Sequence, residues 1–561
     1  MQNPSPVFAG MNPDPTWIWD SDFSSAVALT SSFEFVPGLP IYKGEYRANS
    51  EGQMSFCNWQ LVGHAVDVEM ARALLLDFVG ESGGLYAPTI RKLYGHYVIA
   101  CTVARIDESQ ALASGVPESY LEEIRKSQGN FILVSAELSG PWNGPFWVTG
   151  AGGIDPDLFQ DQDGAIWWTQ TRLRDAPEWS GQTEIVTAPI DLEKLMAPQH
   201  WTFEDGKWPI YKAELASPLE KIWTGFGEFA VWAEAPHLFR IGDWIYLFTA
   251  EGGTSFEHSE MCMRIYAPAG LAQALSNRRG FYPNPANPVL TRRDLGRNDP
   301  IQNLGHVDIL QTPDGQWWAL ALAVRKDQFA AIVNRDVRLN FYGRETFLVA
   351  IEWQRSLAAP DREAYFLGVS PSSFPDEEGW PILSLCEGLE TDECSIGHDG
   401  QSKTIENLFR GRDIITSRKM EGFEFVRLDS LPLKIILKSG EVFCVYRNQE
   451  VLFKLVFPGY PIEHGKPLVV DIEISGSIYF ENGRPEKSQK KKKIVMSGNS
   501  EGQIEVSWEG GLLSLLSNGS CVFSFPDFFL SDEANPASFT GCFIGRKVRS
   551  SKSFNQLINY N

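Results

Sequence analysis

The chain has 561 residues, a mass of 62.8 kDa and a formal net charge of −22. So acidic a chain disfavours nucleic acid or an anionic membrane surface as a partner, because both need clustered positive charge. Hydrophobic residues make up 43%, enough for a large core, and 49 Gly with 34 Pro favour turns and short strands over long helices.

The N-terminus, Met1-Gln2-Asn3-Pro4, has neither a basic start nor an apolar stretch, so no secretory signal is read; the expectation is an intracellular chain or an incomplete precursor, with the location left open. No apolar run reaches the roughly 18–20 residues of a membrane span. From residue 1 to about 350, short apolar or aromatic runs alternate with turns. Strands are predicted at 131–136, 165–170, 244–250 and 317–324. Asp161-Gln162-Asp163-Gly164 and Thr312-Pro313-Asp314-Gly315 are the turns that lead into two of them. Helical patterns at 117–126 and 270–276 read as insertions. Residues 370–380 are rich in Pro, Ser and acids and read as a connector, and 391–414 are polar and poorly periodic. Alternation returns at 434–437, 441–446, 451–457, 468–474 and 503–508, as in an antiparallel sandwich. The basic run 487–493 reads as a solvated hairpin tip. Eight Cys are scattered without metal-finger spacing and read as free thiols.

Three carboxylate segments are set among turn residues beside strands. They are Asn12-Pro13-Asp14-Pro15, Gly152-Gly153-Ile154-Asp155-Pro156-Asp157 and Ala233-Glu234-Ala235-Pro236-His237. Singly, each is most simply a strand-end acid. Together they match the needs of glycoside hydrolysis, where one carboxylate activates water and a carboxylic acid protonates the leaving oxygen. A third carboxylate can hold the acid's proton by like-charge repulsion. Residues so far apart in sequence meet only in a fold that returns repeatedly to one axis, as the inner strands of a propeller do.

These segments resemble glycoside hydrolase family 43, the β-xylosidases and α-L-arabinofuranosidases. The resemblance also covers Ser31–Gly38, Ala87–Arg91, Thr249–Thr254, Gly305–Asp308 and Gly343–Phe347, in the family's order. It implies an all-β architecture. A five-bladed β-propeller catalytic domain (1–350) is followed by a connector (351–390) and a C-terminal β-sandwich (391–561). It further implies an inverting mechanism with Asp14 as general base, Glu234 as general acid and Asp155 as the group that raises and orients the acid. Asp157 competes for that last role on spacing alone. Base and acid are then expected about 6.5–9.5 Å apart.

By the same resemblance, Arg344 reaches sugar hydroxyls and His306 stands at the propeller axis, where a structural calcium ion is admitted but no cofactor is required. Phe33 offers an apolar wall, and His258 is a further candidate for substrate contact. Tyr86 stands where the family often has Trp. Ala233-Glu234-Ala235-Pro236 replaces the commoner Thr-Glu-Gly-Pro, which removes a hydroxyl near the acid. The expected reaction is exo-release of xylose from the non-reducing end of β-1,4-xylo-oligosaccharides. α-L-Arabinofuranosidase or dual activity is the alternative. A homo-oligomer is compatible with the sequence. Two other readings are a non-catalytic carbohydrate-binding propeller and a retaining fructan-cleaving propeller. The complete carboxylate set argues against the first. The second rests on Asn298-Asp299-Pro300 and Glu393-Cys394, outside the matching segments.

Overall fold

The computed structural model describes residues 4–48, 52–197, 208–225, 230–332, 335–354, 379–386, 402–438, 440–457, 468–481, 484–496, 503–517, 520–531 and 541–548. The described residues are mostly β-strand, with a few short helices. The chain forms two compact units. One combines residues 1–8, 12–324 and 345–392; the other combines 9–11, 325–344 and 393–561.

The first unit contains five sheets of four or five strands, led in chain order by Thr16–Asp20, Val79–Leu93, Ile154–Gln160, Glu234–Ile241 and Ile301–Gln311. Each leading strand neighbours the leading strand of the sheet before and after it, and the last neighbours the first. The apolar cores lie between successive sheets. Val27, Leu29 and Ile41 meet Leu85, Ile99 and Phe131 between the first and second. Val98, Ile132 and Val148 meet Leu158 and Trp168 next. Phe159 and Ile185 then meet Leu247 and Met263, and Tyr246 and Phe248 meet Val307, Ala319 and Phe347. Leu310, Trp318 and Leu348 close the ring against Trp17, Ala26 and Phe56. Strands buried on both faces read as near-continuous apolar runs. That is why Trp244–Glu251, with every residue buried, is conspicuous in the sequence.

The strands predicted in this region are found as Asn130–Ser135, Ile166–Leu173, Trp244–Glu251 and Trp317–Arg325. The two helical patterns are Glu118–Ser127 and Leu271–Ser276. Two further helices, Val68–Ala73 and Glu108–Ala113, were not read from the sequence. Their start signals are Asp67 and Asp107, which accept from the amides of Met70 and Gln110.

The second unit has two sheets on one apolar core. Leu433–Lys438 and Gln503–Glu509 face Val442–Arg447 and Glu450–Val456 across Ile435, Leu437, Trp508, Phe443, Val445 and Leu455. Strict alternation of buried and partly exposed residues in Leu433–Lys438 made this strand legible. The short hairpin Gln328–Ile332 and Arg335–Leu339 also belongs here, and Leu339, Phe341 and Tyr342 join its core. Within the stretch read as polar, Ile405–Phe409 is helical, capped by Thr404, which accepts from the amide of Asn407 at 3.2 Å. The basic run is not a hairpin tip. It lies inside the strand Arg484–Met496, in register with the strand Leu468–Glu481, where Lys493 stands opposite Asp471 and Lys491 opposite Glu473. Most of the expected connector, 355–378 and 387–390, lies outside the described residues.

Candidate active site

In or just before each leading strand of the first unit stands a non-glycine residue in the left-handed region that begins a shared local pattern. These are Asp14 (φ 54°), Ala87 (33°), Asp155 (54°), Ala235 (50°) and His306 (55°). Such backbone is costly for L-residues and persists where the surroundings hold it. Three of these positions coincide with register shifts, between Tyr86 and Thr89, opposite Thr169 and Thr171, and between Glu234 and His237. The next residue is Pro15, Pro88, Pro156 or Pro236, with Val307 in the fifth strand. One residue further come Thr16, Thr89, Asp157, His237 and Asp308. A three-residue pattern is thus repeated in or just before all five leading strands.

One arginine ties these strands together. Arg91 Nη2 donates to Asp157 Oδ1 at 2.8 Å, and Nη1 donates to Asp308 Oδ2 at 3.0 Å. His237 Nδ1 lies 3.3 Å from Nη2 and Thr16 Oγ1 3.5 Å from Nη1. All five leading strands therefore contribute to one polar node. Asp308 also accepts from Thr16 Oγ1 at 2.7 Å and from the Trp17 amide at 3.2 Å. Burial alone would raise the Asp157 pKa. The Arg91 charge, His237 and the Leu238 amide overcome this and hold it below the usual carboxylate range. Burial would likewise lower the Arg91 pKa, but Asp308 and Asp157 hold it up. Arg91 and the Asp157 and Asp308 carboxylates thus form a buried charge cluster at the inner strands.

The three sequence-nominated carboxylates come from different sheets. Asp14 is 5% exposed, and its Oδ2 accepts from Ser31 Oγ at 2.6 Å. Ser31 Oγ in turn accepts from the Ala87 amide at 2.7 Å. Asp14 Oδ1 lies 3.6 Å from His306 Nδ1. Asp155 is half-buried, and its Oδ2 accepts from the Ala235 amide at 3.2 Å. This bond ties it to the peptide that follows Glu234. Glu234 is half-buried and opens its strand opposite Ala250. The preceding Ala233 carbonyl is fixed by Thr183 Oγ1 at 2.9 Å. Asp155 and Asp14 both act on the buried thiol of Cys101, raising its pKa beyond what burial alone does. Asp155 and Asp157 face different partners because the strand bulges between them: Ile154 pairs with Thr171 but Asp157 with Thr169.

Phe33, itself left-handed (φ 52°) and 7% exposed, packs on Tyr86 with ring centroids 5.2 Å apart. The Tyr86 hydroxyl donates to the Ser82 carbonyl. Phe33 and Tyr86 thus form an aromatic pair beside Ser31 and Ala87, which hold Asp14. His258 is 2% exposed, and its Nδ1 lies 2.8 Å from the Asn303 carbonyl. Its ring packs on the Gly305 backbone, where a Cβ would come within 2.9 Å, so it bears on the segment that carries His306. Arg344 opens the strand Arg344–Gln354 and is the last residue of the 325–344 segment, which belongs with the second unit. The donors at His306 do not suit calcium, which takes about six to eight oxygens. Asp14 is the carboxylate beside it, while Asp308 is committed to Arg91, Thr16 and Trp17. No group of three metal-ligating side chains occurs among the described residues.

Arg91 and Asp308 appeared in the sequence only as parts of matching segments, without a role. The repeated left-handed residue, proline and polar residue was the signal that could have drawn them together. Glu234 also lines a cavity of about 860 Å³ with Trp232, Gly153, Ile154, Thr171 and Arg172. No helix among the described residues is long and apolar enough to cross a membrane.

Comparison with known proteins agrees with this arrangement. A xylosidase/arabinosidase of Butyrivibrio fibrisolvens is 27% identical over 448 residues, covering 79% of this chain and 67% of that protein. A non-reducing end alpha-L-arabinofuranosidase of Bacteroides ovatus is 30% identical over 350 residues, covering 62% of this chain and 51% of that protein. The chain thus spans about half to two thirds of the length of these relatives. Among solved structures, a Bacillus licheniformis family 43 protein aligns over 99% of this chain and 97% of its own, with a TM-score of 0.62 at 19% identity. The Bacteroides ovatus xyloglucan-locus protein aligns over 98% and 96%, with a TM-score of 0.60 at 20% identity. At that identity the likeness speaks for the fold. Residues 3–356 match the glycosyl hydrolases family 43, and the chain belongs to that family.

Proposed function

We propose that this family 43 member is an exo-acting, inverting glycosidase that releases xylose from the non-reducing end of β-1,4-xylo-oligosaccharides. α-L-Arabinofuranosides are the alternative substrate, a reading favoured by the names of both relatives above. We read residues 1–350 as a five-bladed β-propeller, 351–390 as a connector and 391–561 as a β-sandwich. Five cores closing a ring of five sheets support the first, and two sheets on one core support the last.

One observation carries the catalytic assignment: Asp14 and Asp155 occupy equivalent left-handed positions on different sheets, and Asp155 binds the amide next to Glu234. In this reading the Asp14 carboxylate takes a proton from water, and the water oxygen bonds to the anomeric carbon. Glu234 gives its proton to the glycosidic oxygen as the carbon–oxygen bond breaks. The anomeric configuration inverts. Ser31 and His306 fix the direction of the Asp14 oxygens, while Asp155 positions the acid and favours its protonated form. Phe33 and Tyr86 supply an apolar wall for the sugar's C–H face.

Time-resolved NMR on xylobiose reads substrate and stereochemistry together. The inverted α-anomer of xylose is expected as first product. First appearance of the β-anomer would remove the water-activating role of Asp14. If neither the nitrophenyl xyloside nor the nitrophenyl arabinofuranoside is hydrolysed, the substrate reading fails.

A further inference from the structure

The reading of Glu234 as the acid has a spatial consequence. An acid that protonates the glycosidic oxygen stands where the released sugar ends and the leaving group begins. Glu234 lines the cavity of about 860 Å³, and neither Asp14 nor Asp155 does. That space therefore lies on the leaving-group side. Its volume is near the upper end of the roughly 300–1,000 Å³ of ligand pockets.

We propose that this cavity is a binding cleft for the leaving group, an uncharged β-1,4-xylan chain of two or more sugars, with Trp232 as its stacking platform. Trp232 stands two residues before Glu234, is 39% exposed and lines the cavity. It holds a left-handed φ of 53°, a real outlier for so bulky a residue. The neighbourhood enforces that conformation. Its amide donates to the Gly181 carbonyl at 2.8 Å. Its indole lies over Gly181 and Gly253, where a Cβ on either would fall 3.1 Å from the ring. A core tryptophan needs no such arrangement: Trp147, Trp168 and Trp244 are simply buried. Strained backbone here serves to present an aromatic face, the surface on which a sugar's C–H groups pack.

The charged lining is balanced, Arg105, Arg125 and Arg172 against Glu108, Asp175 and Glu234, which suits an uncharged ligand. Arg172 is engaged by Glu184 at 3.1 Å, and Arg125 by Glu108 and Glu118 at 2.7 Å each. Gln128 and Thr171 add groups that can serve hydroxyls. Leu173 continues the lining two residues beyond Thr171, about 7 Å further along the strand, and is 66% exposed.

The test pairs binding with turnover. Calorimetry on Glu234→Gln should show xylotetraose binding at least about ten-fold more tightly than xylobiose. Adding Trp232→Ala should remove most of that difference, and Trp232→Phe should restore part of it. Leu173→Arg, at an exposed position that threatens no core, should weaken xylotetraose at least about five-fold more than xylobiose. In an otherwise wild-type chain, Trp232→Ala should cost at least about ten-fold more in kcat/KM on xylotetraose than on the nitrophenyl glycoside. Equal affinity for both oligosaccharides, or equal losses on both, overturns the cleft. Failure of the wild type to cleave either nitrophenyl glycoside overturns the role of Glu234 and the leaving-group assignment with it. The calorimetric length dependence tells the two failures apart.

Discussion

Asp155 and Asp157 are two residues apart, and their surroundings divide the work between them. Asp157 is fully buried, bonded to Arg91, His237 and the Leu238 amide. Asp155 is half-buried and reaches the peptide beside Glu234. Substituting each tests the division. Asp155→Asn should lower kcat by about 10²–10³-fold with little change in Tm, and should move the basic limb of the kcat/KM profile to lower pH. Asp157→Asn should lower Tm. Its folded pKa lies below the unfolded value of about 3.9. Its stabilisation is therefore complete above that value and is lost as pH falls through the folded pKa. The Tm gap between wild type and Asp157→Asn should be full at pH 6 and should narrow below about pH 4. A gap independent of pH would show that Asp157 acts by packing alone.

At the scale of the strand, catalytic geometry depends on where each bulge falls. The bulge at Ile154–Gln160 needs Gly153, whose φ is 139° and where a Cβ would come within 1.8 Å of the Thr171 carbonyl oxygen. Gly153→Ala must push the two strands apart and shift Asp155. A misplacement of about 1 Å costs on the order of 10²-fold in rate. That loss is expected in kcat, with near-UV circular dichroism largely retained. A Gly153→Ala enzyme with wild-type kcat would show that the bulge does not set the position of Asp155. The four prolines belong to the same device. Each restricts the residue before it and leaves the strand no amide to donate at the irregularity.

Across the first unit, the ring of five sheets is joined at its leading strands by a charge cluster as well as by apolar cores. Removing Arg91 leaves the Asp157 and Asp308 carboxylates buried without their cation. Breaking a buried pair in this way costs about 3–5 kcal/mol. Arg91→Met should therefore lower Tm strongly. Arg91→Met with Asp157→Asn should be milder than the sum of the two single changes, because the second removes a charge that the first leaves stranded. Additive losses in thermal unfolding would mean that the cluster is not coupled.

Much of this protein was legible before any coordinates. Period-2 alternation and continuous apolar runs are local properties, so the strands at 131–136, 244–250 and 434–437 could be read directly. The Asp14, Asp155 and Glu234 segments were recognisable because each sets a carboxylate near a proline among turn residues, and because they occur in the order of family 43. Tertiary structure decided the remainder. The register of the bulge at Ile154–Gln160 settled which way Asp155 and Asp157 face. The meeting of five strands gave Arg91 its partners, and backbone pairing with Leu468–Glu481 made a strand of the basic run. Trp232 could not be told from a core tryptophan by composition. These outcomes are non-local: a strand's own sequence sets its alternation, but only the strands beside it determine what each side chain meets.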